Sequence, residues 1–95
     1  MIVIWQPEAT ADVARIVRDR SNYSPESAER LAKAIIARVD QIAEFPQSGR
    51  MIPEFQLPRL REVLEQDYRI LYEVYADRIE VFGVISSRQL LTGRE

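Results

Sequence analysis

Ile2, Val3, Ile4 and Trp5 open the chain as a short β-prone run, residues 1 to 5 or so. Pro7 ends it, because proline cannot donate to a ladder but fits the first turn of a helix. From Pro7 to about Arg20 the apolar period becomes helical: Ala9, Val13, Ile16 and Val17 share one face, while Asp12, Arg15, Arg18 and Asp19 take the other. Ser21-Asn22-Tyr23 breaks this helix. Ser24-Pro25-Glu26 starts another, with a hydroxyl to accept an orphan amide, a preset proline dihedral and an acid at the positive dipole end. Ala28, Leu31, Ala32, Ile35, Val39, Ile42 and Ala43 keep helical spacing until Phe45-Pro46, about twenty residues on. So short a connection predicts an antiparallel helical hairpin.

The second half changes period. Gln47 to Pro58 holds Gly49, Pro53 and Pro58 with little periodicity and reads as a loop crossing from helices to sheet. Leu60-Arg61-Glu62-Val63-Leu64 resumes β character, and Gln66-Asp67 turns. Tyr68 to Tyr75 and Ile79 to Ile85, both rich in β-branched and aromatic residues, flank the polar break Ala76-Asp77-Arg78 and read as a tight hairpin. Ser86 to Glu95 reads as a polar, exposed tail. This order predicts an α+β fold in which the helical hairpin covers one face of a small, three- to four-stranded antiparallel sheet, leaving the other face open. The first strand is expected within that sheet as an edge. Residues 1–95 make a single domain, with no repeat, low-complexity segment or linker.

Composition narrows the chemistry. A chain of 95 residues buries roughly 60 to 65% of the surface its unfolded form exposes, so one compact core is feasible and stability is modest. The net charge of -2 excludes the overall electrostatic footprint of a duplex nucleic-acid binder, so no strong direct nucleic-acid binding is expected. Neither cysteine nor histidine occurs, which removes disulfides, thiolate metal sites, the usual neutral-pH general base and the commonest metal ligand. No metal or cofactor is expected. The opening Met-Ile-Val-Ile-Trp resembles neither a signal peptide nor a membrane span, and the cytoplasm is the default location. Of the thirteen basic residues only Lys33 is lysine; the rest are arginine, a bias that suits bidentate contact to carboxylate or phosphate and that a GC-rich genome would also produce.

Candidate contact residues follow from the strands. Alternation places Arg69 opposite Tyr68, Ile70, Tyr72 and Val74, and so outward if the apolar face meets the helices. There it would contact a partner or pair with Glu80 or Glu62. Arg61 and Arg88 would join it in a shallow basic patch on the open face, unless Glu62, Glu65 and Asp67 neutralise them. Gly49 is expected to supply a positive backbone dihedral and Arg50 to tie its loop down. Trp5, Tyr72 and Tyr75 are amphipathic groups able to anchor an interface, with core or rim packing favoured for Trp5 and Tyr72. Ser86-Ser87 has no base partner and is not read as a nucleophile.

Taken in order, Trp5 with Pro7-Glu8-Ala9 and Asp12, Phe45-Pro46-Gln47-Ser48-Gly49-Arg50, Pro53-Glu54, Arg61-Glu62, Tyr68-Arg69-Ile70-Leu71-Tyr72, and Val84-Ile85 with Arg88 give nearly the whole chain a likeness. It resembles the ParE/RelE family of small toxins from bacterial toxin-antitoxin modules, ParE-like branch, the loop matching that family's "P-x-x-G-R" pattern. The resemblance implies one of two activities. RelE-like members cut messenger RNA on the ribosome with basic residues and usually a terminal tyrosine or histidine. ParE-like members share the scaffold and poison DNA gyrase.

Leu60-Arg61-Glu62 stands where RelE-like members tend to place lysines, and a carboxylate there opposes the charge that develops in phosphodiester cleavage. Ser86-Ser87-Arg88-Gln89 keeps one arginine where relatives often show histidine and two arginines. The chain therefore reads as ParE-like and non-enzymatic, poisoning gyrase by stoichiometric binding and neutralised by a cognate antitoxin. The resemblance implies that the antitoxin lies along the helical hairpin and sheet edge, with Arg50, Arg61, Arg69, Arg88 and Tyr75 as target- or antitoxin-contact candidates and no catalytic residue. The alternatives are a RelE-like ribosome-dependent endoribonuclease and a degenerate toxin that only binds its antitoxin.

Overall fold

The computed structural model describes residues 1–91. Its elements are β1 (Ile2–Trp5), α1 (Pro7–Ser21), α2 (Pro25–Glu44), a single 3-10 turn (Pro46–Ser48), β2 (Arg50–Met51), β3 (Leu60–Glu65), β4 (Tyr68–Val74) and β5 (Arg78–Ser86). The helix starts follow their residue chemistry. Pro7 and Pro25 each occupy the first turn, and the Ser24 hydroxyl accepts from the Ser27 amide at 3.1 Å. At the far end of α2, Phe45 leaves helical geometry and Pro46 begins the 3-10 turn.

The sheet has five strands in the order β1-β5-β4-β3-β2 and is mixed, not a three- to four-stranded antiparallel one. Two features account for the difference. β1 lies at the edge as expected but runs parallel to β5, with Ile2 opposite Arg78 and Trp5 opposite Val81. The long connection through both helices permits this, since a parallel pair needs a crossover rather than a hairpin. β2 is a two-residue strand inside the stretch read as loop, pairing Arg50 with Glu62 and Met51 with Arg61. So short a run leaves no periodic signature.

Helices and sheet bury one main core. Ala9 and Ile16 of α1 and Leu31, Ile35, Val39 and Ile42 of α2 pack with Val63, Ile70, Tyr72, Ile79, Val81 and Val84. The β4–β5 ladder slips between Leu71, opposite Gly83, and Tyr72, opposite Val81, leaving Phe82 as the extra residue of a bulge. The slip brings both Val81 and Val84 to the helical side. At the bulge the Val84 amide donates to Asp12 Oδ2 of α1 at 3.0 Å, so a helix carboxylate satisfies a group beside the irregular ladder.

The opposite sheet face is not open where Glu62, Arg69 and Leu71 stand; all three are buried. The chain between β2 and β3 folds over it, with Ile52 wholly buried and held by an Ile52 N–H bond to the Leu60 carbonyl at 2.9 Å. The segment after β5 also returns to the sheet: the Ser87 amide donates to the Asp67 carbonyl at 2.7 Å. Arg88, Gln89 and Leu90 are exposed, as a tail would be, but the backbone around them is anchored. Residues 92–95 of the expected tail lie outside the described residues.

Candidate functional site

Arg69 sits at the centre of an ion cluster. Its position in β4, opposite Leu64 and Ile85, turns it away from the helices as alternation requires. Yet it is 4% exposed rather than free on an open face. Arg69 Nε donates to Glu62 Oε1 at 2.7 Å, while Nη1 and Nη2 grip both oxygens of Glu54 at 2.8 and 2.7 Å. A charged group buried this far must be paired, and the loop carrying Glu54 supplies the second carboxylate. Of its expected partners Glu62 is found; Glu80 instead binds Arg78 at 2.6 Å.

The cluster also holds the backbone after β5. Arg69 Nη1 donates to the Gln89 carbonyl at 2.8 Å, and Glu54 Oε2 accepts from the Leu91 amide at 3.0 Å. The hydrogen bonds that Arg69 first and the Leu91 amide second donate to Glu54 pull its carboxyl down to about 2. The Arg69 guanidinium is pushed up by Glu54 first and then by Glu62, against the cost of burial.

Arg61 does not join Arg69. It opposes Tyr72 in the β3–β4 register and so points to the helical side, one residue out of phase with Glu62. There its Nη1 donates to the Gly49 carbonyl at 2.8 Å, and its buried Nε has no hydrogen-bond partner among the described residues. Arg50, more than half exposed, pairs through Nε and Nη2 with Glu62 Oε2 at 2.5 Å, so it does tie its strand down. Arg88 is exposed beyond β5. Tyr75 donates its hydroxyl to Glu73 at 2.9 Å and lies under the Arg78 guanidinium, 4.0 Å from the ring centre. The expected patch of Arg61, Arg69 and Arg88 is thus dispersed: one turned inward, one buried and neutralised, one on the surface.

Gly49 serves by its size and not by a positive dihedral. Its φ is −79° and its ψ 159°, extended backbone that other residues adopt. A Cβ there would run into the Tyr72 hydroxyl and stand 2.6 Å from the Glu62 carbonyl oxygen. Tyr72 is wholly buried; its hydroxyl donates to the Pro46 carbonyl and accepts from the Gly49 amide, both at 2.9 Å. Burial pushes that hydroxyl's pKa up.

A second feature lies on the helical hairpin. Trp5, Val13, Val17, Ala32 and Ile36 line an apolar groove of about 480 Å³, with Ile36 55% exposed. Beside it runs the free edge of β1, whose Ile2 and Ile4 are 68% and 43% exposed. The sequence names Glu54 only within the Pro53-Glu54 landmark, and neither its pairing with Arg69 nor Ile36 is singled out there. Ile36 carries a signal, being an apolar residue one step beyond the core position Ile35; the Glu54 pairing has none, because Arg69 is fifteen residues away. Among the described residues, no group of three or more acidic side chains is placed to hold a metal ion, and no helix is long and apolar enough to cross a membrane.

Comparison with curated proteins gives no match. Among solved structures, one from the "Chromosomal ParDE TA system from P. aeruginosa" superposes with a TM-score of 0.76 at 21% identity, over 90% of this chain and 95% of that one. At that identity the likeness speaks for the fold. The sequence model of the family described as "ParE toxin of type II toxin-antitoxin system, parDE" matches residues 3–91. With the match spanning nearly every element from β1 to the anchored segment after β5, the chain belongs to the ParE toxin family of type II toxin-antitoxin systems.

Proposed function

We propose that this ParE-type toxin acts by stoichiometric binding to DNA gyrase, without bond cleavage, and is neutralised by a cognate antitoxin. The observation that carries the first part is the saturation of Arg69. A guanidinium held by Glu54 and Glu62 within 2.6–2.8 Å has little capacity left for a scissile phosphate, and the Glu62 carboxylate beside it would repel one. Of the candidate residues, Arg50 and Arg88 stay exposed and Tyr75 half-buried, and these three are the ones available for contact with another protein. Arg61 and Arg69 contribute by holding the sheet and its covering loop in shape.

The antitoxin is assigned to the groove of Trp5, Val13, Val17, Ala32 and Ile36 and to the adjoining β1 edge. An amphipathic helix fills such a groove with apolar anchors, and an extended segment satisfies a free strand edge. Purified toxin assayed in parallel for inhibition of gyrase supercoiling and for messenger RNA cleavage on ribosomes tests the first part. Inhibition without cleavage is expected; cleavage with gyrase untouched overturns it. For the second part, Ile36→Asp is expected to weaken antitoxin binding at least tenfold, as an unpaired charge facing an apolar interface should, with the circular dichroism spectrum unchanged.

A further inference from the structure

β3 is six residues long but β2 covers only two of them, pairing at Arg61 and Glu62. Where β2 gives way to Gly49 and the 3-10 turn, the β3 edge at Val63 and Leu64 is left without a neighbour, and a notch of about 260 Å³ opens between it and α2. Its walls carry Arg38 from α2, Arg50 from β2, and Ser48 and Gly49 from the turn. Two arginines from separate elements thus face one small recess.

Their bonding leaves donors over. Arg38 Nε caps the unpaired Leu64 carbonyl at 3.4 Å and its Nη1 binds Gln41 at 2.7 Å. Arg50 spends Nε and Nη2 on one oxygen of Glu62. Nη2 of Arg38 and Nη1 of Arg50 have no acceptor among the described residues. Among the described residues Glu62 is the only carboxylate lining the notch, and it already compensates Arg69 at 2.6 Å as well as Arg50. Arg61, with its unpartnered Nε, is close behind on the helical side of the same strand. The local balance is therefore positive in a chain whose net charge is -2.

We propose that this notch is an anion site that takes a single carboxylate from an acidic side chain of a protein partner. Two guanidiniums with free N–H groups, held on separate elements, suit a planar carboxylate. The net negative charge of the remaining chain disfavours a polyanion such as nucleic acid. The inference needs only a partner with an exposed acid and stands whether or not gyrase is the target.

The test is a titration of the nitrogen-15-labelled full chain, following backbone amides and arginine Nε signals, at fixed ionic strength. The probes are a short capped peptide containing glutamate, its glutamine counterpart, inorganic phosphate and a short DNA single strand. Saturable shifts confined to Arg38, Arg50, Ser48 and Gly49 are expected with the glutamate peptide and not with the glutamine one. Arg38→Gln, which removes only surface bonds, is expected to weaken that binding about tenfold, the size of a lost charge-assisted hydrogen bond. Arg30→Gln, on the exposed surface of α2 outside the notch, should leave it unchanged. Shifts that do not saturate, that persist in Arg38→Gln, or that appear with phosphate or DNA but not with the peptide would overturn the assignment.

Discussion

The Tyr72 hydroxyl stands where a Cβ on residue 49 would have to go, and it accepts the Gly49 amide proton at 2.9 Å. One side chain thus both holds the loop after α2 and forbids any residue larger than glycine there. Gly49→Ala is expected to cost roughly 1–3 kcal/mol, as overpacking does. Removing the hydroxyl in the Gly49→Ala/Tyr72→Phe double variant should recover only part of this, because the Glu62 carbonyl oxygen remains 2.6 Å from the new Cβ. Urea denaturation of Gly49→Ala, Tyr72→Phe and the double variant measures it; full recovery would show that Tyr72 alone sets the restriction.

Arg69 and Glu62 are both buried, and neither is compensated without the other elements of the cluster. Arg69→Met is expected to destabilise by about 3 kcal/mol, because it strands Glu54, leaves buried Glu62 with Arg50 alone and releases the Gln89 carbonyl. Adding Glu62→Gln to that variant should restore some stability by removing a buried charge that has lost one of its two cations, which a double-mutant cycle would read directly. Additive losses would mean that the two residues are not energetically coupled.

The Glu54 carboxyl titrates at about 2 in the folded chain, below the usual value of 4.5, chiefly because Arg69 donates to it. A depressed carboxylate contributes stability that is complete above its unfolded value and disappears as pH falls through the folded one. Its share should therefore be intact at pH 6 and lost between about pH 4.5 and 2. The shift corresponds to at most about 3 kcal/mol, and to less after solvent screening. Glu54→Gln should show a flatter decline in melting temperature over that window than the parent chain. Parallel acid profiles would remove the assignment.

Asp12 serves the β5 bulge from α1, accepting the Val84 amide at 3.0 Å. Asp12→Ala leaves that donor unpaired and is expected to cost about 1–3 kcal/mol, whereas Asp12→Asn keeps an acceptor and should cost less. Hydrogen exchange at the Val84 amide supplies the local readout, with faster exchange in the alanine variant.

Much of this molecule is legible from local pattern. Ser24-Pro25-Glu26 starts α2 where its chemistry says, Phe45-Pro46 ends it, and Gln66-Asp67 turns the chain between β3 and β4, with Gln66 at φ 55°. The candidate site was legible only in pieces. Strand alternation puts Arg69 on the correct side of β4, but its expected exposure rests on an open face that the loop at Ile52 and Glu54 in fact covers. Arg61 shows the limit differently: its phase relative to Arg69 depends on strand register, and Arg61 opposite Tyr72 separates the two onto different faces.

The order and type of the helices and long strands, their caps and turns, and the absence of histidine and cysteine chemistry are properties of the residues themselves, acting over a few positions at a time. The parallel direction of β1, the two-residue β2, the burial of the Glu54–Arg69–Glu62 cluster and the notch at the β3 edge were decided by the tertiary structure. Each requires segments distant in sequence to meet. Which face a loop covers, and which carboxylate a guanidinium then finds, is set by chain closure across the whole sheet and not by any local period.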